Sequence, residues 1–472
     1  LADAEAEQRA VAERRFDQVR ELASTLMFGI HDAVAELPGS LEARRLLVDT
    51  GLKYADALAA EAGDDPRLLR DLGDAYRRLS QIQGRPGAAN LGDADAALAT
   101  QLRAIDIWNR LIETGAADAL HDRAAAERDA GNLLRTLGRL PEAAEFYQRA
   151  IETHRRIVET QGDSPLAQEA IAHASAGLAR IQSALGQHRE AIESLRVFER
   201  YCSECVAAEP DHTGHRTNLA VVRAEMARPY NALGRHDEAR RLLEGAVADI
   251  AALQQADPDN PRLLRTRLAL TRDLGSTIDR TGAHEEALPF FRQALGLSRR
   301  IAEADPNDRQ AAREVAACLQ SVGLALNRMG RPAEAIEHLV PAVEAAERLS
   351  AENPDVIAWR RDVMIGLREL GQARLELAEA AEGLALLRRS LAVADELLLR
   401  SPADVVLRED AAVARLIVAR ALAELHPGEA ADAARLAREA ESLLRDGRDE
   451  ASLTPRDRDV LGQIAELLAR LP

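Results

Sequence analysis

The chain has 472 residues and a net charge of −17; hydrophobic residues make up 47% of it and aromatic residues only 3%. Ala, Leu, Arg and Glu dominate, the profile of long helices packed through small side chains, and strand formers are scarce. The acidic balance removes any electrostatic basis for nucleic acid or an anionic membrane surface, three cysteines are too few for a disulfide framework, and no apolar run approaches the ~20 residues that insert across a bilayer.

The sequence opens on Leu1, in mid-helix and without a basic-then-apolar leader, so a longer parent is expected. From Ala12 the apolar positions Phe16, Val19, Ala23, Leu26 and Ile30 recur at three and four residues and predict an amphipathic helix. "LPGS" then turns into a second helix, and residues 1–62 read as a helical lead-in or cap. Residues 63–118 read as a first helix pair, with Gly73 and Tyr76 on one helix and an insertion, 81–93, carrying Gly84, Gly87 and Gly92. A phosphate-cradling loop follows a strand and brings Gly-Lys-Ser/Thr. Neither is present, so the insertion reads as a long turn that elaborates the structure or touches a partner.

Residues 119–447 are written in one register. Pro210, Pro258, Pro306, Pro354 and Pro402 lie 48 residues apart, as do Gly138, Gly186, Gly234, Gly282 and Gly330. A third series is always small: Gly131, Ala179, Ala227, Gly275, Gly323, Gly371 and Ala419. Proline stops a helix and the Asp or Asn around it caps the next. The glycine of "ALGRHDEA" or "RMGRPAEA" turns between two helices. The small residue lets them approach, answered on the second helix by Ala150, Ala246, Ala294 and Ala342, with Tyr147, Leu195, Leu243, Phe291, Leu339 and Leu387 three positions before. Seven further pairs follow the first, the last degenerate around "ELHPGEAADA", and residues 448–472 read as a capping helix.

Small residue, turn glycine, Glu-Ala, a large apolar residue, Ala and a closing Pro resemble the tetratricopeptide repeat, with a period longer than the ~34 residues usual there. The resemblance implies an all-α fold, a right-handed α-solenoid of antiparallel helix pairs that binds proteins or peptides. Separately, "RRFDQVRELASTLMFGIHDAVAELPGS", "AAEAGDDPRLLRDLGDAYRRL" and "QGRPGAANLGDADAAL" are similar to the segment behind the catalytic and membrane-spanning parts of certain bacterial serine/threonine protein kinases with such tails. That implies a sensory or docking arm whose catalytic domain lies upstream of Leu1, in the bacterial cytoplasm or beyond the membrane. No kinase signature occurs in the chain itself. Lys53 is the only lysine, as a GC-rich bacterial genome would produce.

Two clusters invite chemistry. "YCSECVAAEPDHTGHR" offers Cys202, Cys205, His212 and His215, ligand types that zinc accepts. The six residues between the pairs are too few for a zinc finger, so these read as packing and turn residues. His188, His236 and His284 repeat directly after the turn glycines and read as turn residues too. No nucleophile elbow or distinct carboxylate pair is visible, and no enzyme activity, cofactor or metal is expected of this chain.

What remains is a surface. Offsets −3, +1 and +4 from the small residue share one face of each first helix. They hold Arg70, Arg77, Arg128, Arg135, Arg180, Arg228, Arg272, Arg368 and Arg420, roughly three times the share that composition gives, with Asn132, Asn231 and Asn327 beside them. Guanidinium forks suit carboxylates and asparagines suit peptide backbone, so the stripe reads as a concave groove for an acidic partner. Salt bridging within the array is the competing reading.

Overall fold

Short polar side chains start several of the helices. Asn260, Asp308 and Asp404 each accept hydrogen bonds from the N–H groups of the second and third residues of the helix that follows, and Asp93 accepts one from the third. Thr454 and Asp457 close a reciprocal capping box. The computed structural model describes residues 41–84, 91–162, 164–354, 356–446, 448 and 453–471, and among these no strand occurs. The amphipathic helix expected from Ala12 lies outside them.

After α1 (Leu41–Glu61) the chain alternates first and second helices. They are α2 (Pro66–Gly84) and α3 (Ala94–Glu113), α4 (Ala119–Thr136) and α5 (Leu140–Gln161), α6 (Pro165–Ala184) and α7 (His188–Ala208), and α8 (Thr213–Ala232) and α9 (His236–Ala256). Then come α10 (Pro261–Asp279) and α11 (His284–Ala304), α12 (Arg309–Arg328) and α13 (Pro332–Glu352), α14 (Ile357–Glu376) and α15 (Ala380–Arg400), and α16 (Val405–Leu425) and α17 (Ala430–Arg445). The last helix, α18 (Pro455–Arg470), packs its Val460, Ile464 and Leu467 into one core with Leu416, Leu422, Leu436 and Ala440 of the eighth pair. The chain forms two compact units, Leu1–Gly177 and Leu178–Pro472, with the boundary inside α6.

The turn glycines do what their spacing requires. Gly138, Gly186, Gly234, Gly282 and Gly330 all have φ between 68 and 85°, the left-handed region open to glycine at little cost. The seventh pair has Ala378 in that place, with φ 64°, the one non-glycine residue of positive φ among those described. There the repeat's geometry is imposed on a side chain that resists it.

The small series acts by a different contact from the one expected. A Cβ on Gly73 would lie 2.5 Å from the Trp108 ring, on Gly275 2.9 Å from Phe291, on Gly323 2.5 Å from Leu339 and on Gly371 2.9 Å from Leu387. The glycine thus makes room for the large residue of the partner helix rather than meeting its alanine, and the large side chain closes the core that both helices share. The insertion is also shorter than expected. Helix α2 runs on to Gly84, whose Cβ position is 2.8 Å from Ala97 Cβ, and Ser80 Oγ donates to the Ala97 carbonyl at 2.8 Å. Leu91 and Asp93 return N–H bonds to Ile82 and Gln83. Gly84 is therefore a helix-packing residue, not part of a cradle; Gly87 lies outside the described residues.

Candidate functional site

First helices of successive pairs touch each other, α2 with α4 in the first unit and α8 with α10, α10 with α12 and α12 with α14 in the second, while second helices approach one another less closely. Stacked pairs that are tighter on one side place that side inward. The predicted arginines sit on these first helices.

Four of those nine arginines reach along the array to the next pair. In the first unit Arg70 donates to Asp118 at 2.6 Å, Arg77 lies 3.2 Å from Asp129, and Arg128 lies 3.3 Å from the same carboxylate. In the second, Arg180 meets Glu225 at 2.6 Å and Arg228 meets Asp273 at 3.6 Å. Arg368 is buried and forks onto Glu369, its chain neighbour. The asparagines are engaged as well. Asn132 accepts from the Tyr147 hydroxyl at 2.6 Å, Asn231 donates to Thr277 at 2.8 Å, and Asn327 donates to the Glu369 carbonyl at 2.9 Å. Arg135, Arg272 and Arg420 have no hydrogen-bond or ion-pair partner among the described residues.

Beside this stripe runs a ladder that the small and turn series do not reveal. Arg265 lies 3.1 Å from Glu314 and also binds Asp308, Arg313 donates to Asp362 at 2.7 Å, and Arg361 donates to Asp410 at 2.6 Å. Both columns keep the 48-residue interval, so each guanidinium fastens one first helix to the next. Where the following arginine would stand, residue 409 is Glu, 3.8 Å from Arg456 at the start of α18. Burial, then the charge of Asp457 beside it, pushes the Glu409 carboxyl up to about 8. Burial also works to raise Asp410, but Arg361, Arg456 and Arg368 outweigh it and hold that carboxyl below its usual range.

The ladder ends where the second unit meets its own later helices. A Cβ on Gly186 would lie 3.4 Å from Val405 and one on Gly234 3.0 Å from Pro455, so the third and fourth turns rest on the starts of α16 and α18. Near this meeting Arg280 is exposed and without a hydrogen-bond partner among the described residues, while Arg456, Arg328, Arg361 and Glu409 bear on it electrostatically.

The histidines separate into two kinds. His236 Nδ1 lies 3.0 Å from Asn231 and His284 Nδ1 lies 2.7 Å from Asp279, each clasping the turn it follows, and His188 is buried. His212 and His215 stack with ring centroids 4.0 Å apart. Cys202 does not join them: its thiol is buried, and burial pushes it up to about 12.

Residues 124–165 and 315–355, which frame the second and sixth pairs, match the family model for the tetratricopeptide repeat. These segments are tetratricopeptide repeats. Around them the same helix pair recurs on tetratricopeptide lines, at a longer period. No curated protein matches the sequence. Among solved structures, aspartyl phosphate phosphatase F from Bacillus subtilis is 12% identical, covers 84% of this chain and 93% of its own, and has a TM-score of 0.48. A Rap protein complexed with competence and sporulation factor is 13% identical, with 86% and 99% covered and a TM-score of 0.44. A putative kinesin light chain of Podosopora anserina with nearly identical TPR-like repeats is 21% identical, with 51% and 98% covered and a TM-score of 0.37.

Proposed function

We propose that this chain is a protein-interaction scaffold whose inner face takes an extended acidic segment of a partner, and that it carries out no reaction itself. A tetratricopeptide array offers a continuous row of first helices, and a chain laid along it meets equivalent side chains at every step. The observation that carries the acidic preference is the supply of guanidinium groups left over after the array's own pairing. Arg135 in the first unit and Arg272 and Arg420 in the second have no acid of their own among the described residues, and Arg77 and Arg128 share the single carboxylate of Asp129. Planar guanidinium donors bind carboxylates in a fork and need little desolvation to do so.

A labelled oligo-glutamate peptide, titrated with the whole chain and followed by fluorescence anisotropy, tests this. Binding should weaken as salt rises. It should fall by about tenfold in Arg135→Glu or Arg272→Glu, the size of one lost charge-assisted pair. An oligo-glutamine peptide that binds equally well, or variants that bind undiminished, would refute the acidic groove. The docking-arm reading, for a serine/threonine kinase, is supported by the likeness of residues 14 to 98 alone; the coding sequence upstream of Leu1 tests it directly.

A further inference from the structure

Between α7 and α8 the second unit departs from its own repeat at two positions in one turn. In the fifth, sixth and eighth pairs the residue before the first helix is Asn260, Asp308 or Asp404, whose side-chain oxygen caps the helix; in this pair it is His212. Three residues further on, other pairs bury Leu263, Ala311 and Leu407, and this pair has the half-buried His215. His212 still caps its helix, but through an imidazole nitrogen rather than an oxygen, and His215 places a second imidazole beside it. Together with Glu209 they bring one carboxylate oxygen and two imidazole nitrogens within 4.8 Å of one another.

The turn holds that arrangement by its backbone. Glu209 N–H donates to the Cys205 carbonyl at 2.9 Å and His212 N–H to the Glu209 carbonyl at 3.1 Å. Gly214 leaves the necessary space, since a Cβ there would stand 2.9 Å from His212 Cε1. His215 Nε2 is 3.8 Å from Glu209 Oε2. Bonds of about 2.1 Å to a tetrahedral ion set neighbouring ligand atoms about 3.4 Å apart, so small rotations of exposed side chains close the set. His212 Nδ1 now accepts the His215 N–H at 3.2 Å, and that N–H also has the His212 carbonyl at 3.1 Å. The imidazole can therefore leave its capping role without orphaning the donor.

We propose that Glu209, His212 and His215 form a binding site for a divalent transition metal of the zinc, cobalt or nickel type, with water completing the coordination. Two imidazoles and one carboxylate favour these ions over calcium or magnesium, which take oxygen ligands. The bound ion joins the end of α7 to the start of α8 and stiffens the joint between the third and fourth pairs. Cys202 takes no part.

The test is titration of the full chain with cobalt(II), read by its visible d–d absorption, followed by displacement with zinc. The expected result is one equivalent bound and slower amide exchange at the start of α8. His212→Asn restores the cap that Asn260 provides in the next repeat while removing the ligand, so its fold is kept; it should weaken binding by at least about tenfold, as should Glu209→Gln. Cys202→Ser should change nothing. Unaltered cobalt binding in His212→Asn, or binding lost instead in His121→Ala or His154→Ala, would overturn the assignment, as would no binding at all.

Discussion

Each unit buries one ionisable group that is displaced in the direction opposite to the other's. In the first, His154 is buried against His121, and burial, then the charges of His121 and Arg128, push its imidazole down to about 4. In the second, Glu409 lies under the closing helix and its carboxyl rises to about 8. Both groups are neutral in the folded chain at pH 7 because charge is costly where they sit. The second unit also runs a ladder of paired charges into its core, ending at the buried Asp410, whereas the first keeps Asp118 largely exposed beside Arg70. The same repeat therefore tolerates two electrostatic solutions, and they should fail under different conditions.

The largest difference should appear when one carboxylate is removed from each unit. Asp410→Ala strands Arg361 beside a buried cavity and should cost about 3 kcal/mol in a denaturant titration. Asp118→Ala removes an exposed partner of Arg70 and should cost less than about 1 kcal/mol. Equal losses would show that the ladder is as wet as the surface pair.

Next is pH, whose sign differs between these two groups, His154 and Glu409. As pH falls from 6.5 toward 4, the unfolded chain gains a proton at His154 that the folded first unit refuses, so that unit loses stability toward acid. Between 4.5 and about 8 the folded second unit keeps a proton on Glu409 that the unfolded chain releases, so its stability declines as pH rises through that window. Hydrogen exchange read separately on α5 and α16 checks both slopes, and Glu409→Gln should flatten the second. Parallel slopes would erase the contrast.

Smaller effects probe packing. Gly73→Ala sets a methyl against the rigid Trp108 ring and should cost about 2 kcal/mol, while Gly323→Ala meets Leu339, which can change rotamer, and should cost nearer 1 kcal/mol. Smallest is a gain: Ala378→Gly relieves the strained turn of the seventh pair and should add about 1 kcal/mol to stability. Gly138→Ala, in the matching turn of the first unit, should remove a similar amount.

Much of this architecture was legible because turns and close approaches constrain residue type severely. Gly138 to Gly330 announce left-handed turns, and Gly275 and Gly323 announce helices that nearly touch. The inner charges were harder to read. Arg265, Arg313 and Arg361 keep the same interval, but arginine serves any exposed helix, so their partners emerge only when Glu314, Asp362 and Asp410 are seen opposite them. The predicted stripe could not tell engaged arginines such as Arg70 and Arg180 from Arg135 and Arg272, whose side chains meet no hydrogen-bond or ion-pair partner among the described residues. Glu209 escaped notice for a similar reason, since carboxylates are abundant and only the folded turn singles it out.

The constant spacing of the ladder bears on how such a chain can change its length. Excising the 48 residues from Arg313 through Arg360 would leave Arg265 facing Asp362, so the ladder would keep its chemistry across the seam, while Arg309 and Arg389 would lose Glu352 and Glu347. Gain or loss of a whole module is thus neutral for the ladder and is registered by the pairs outside it. The closing helix has no such freedom, because Arg456 answers a glutamate that occurs once.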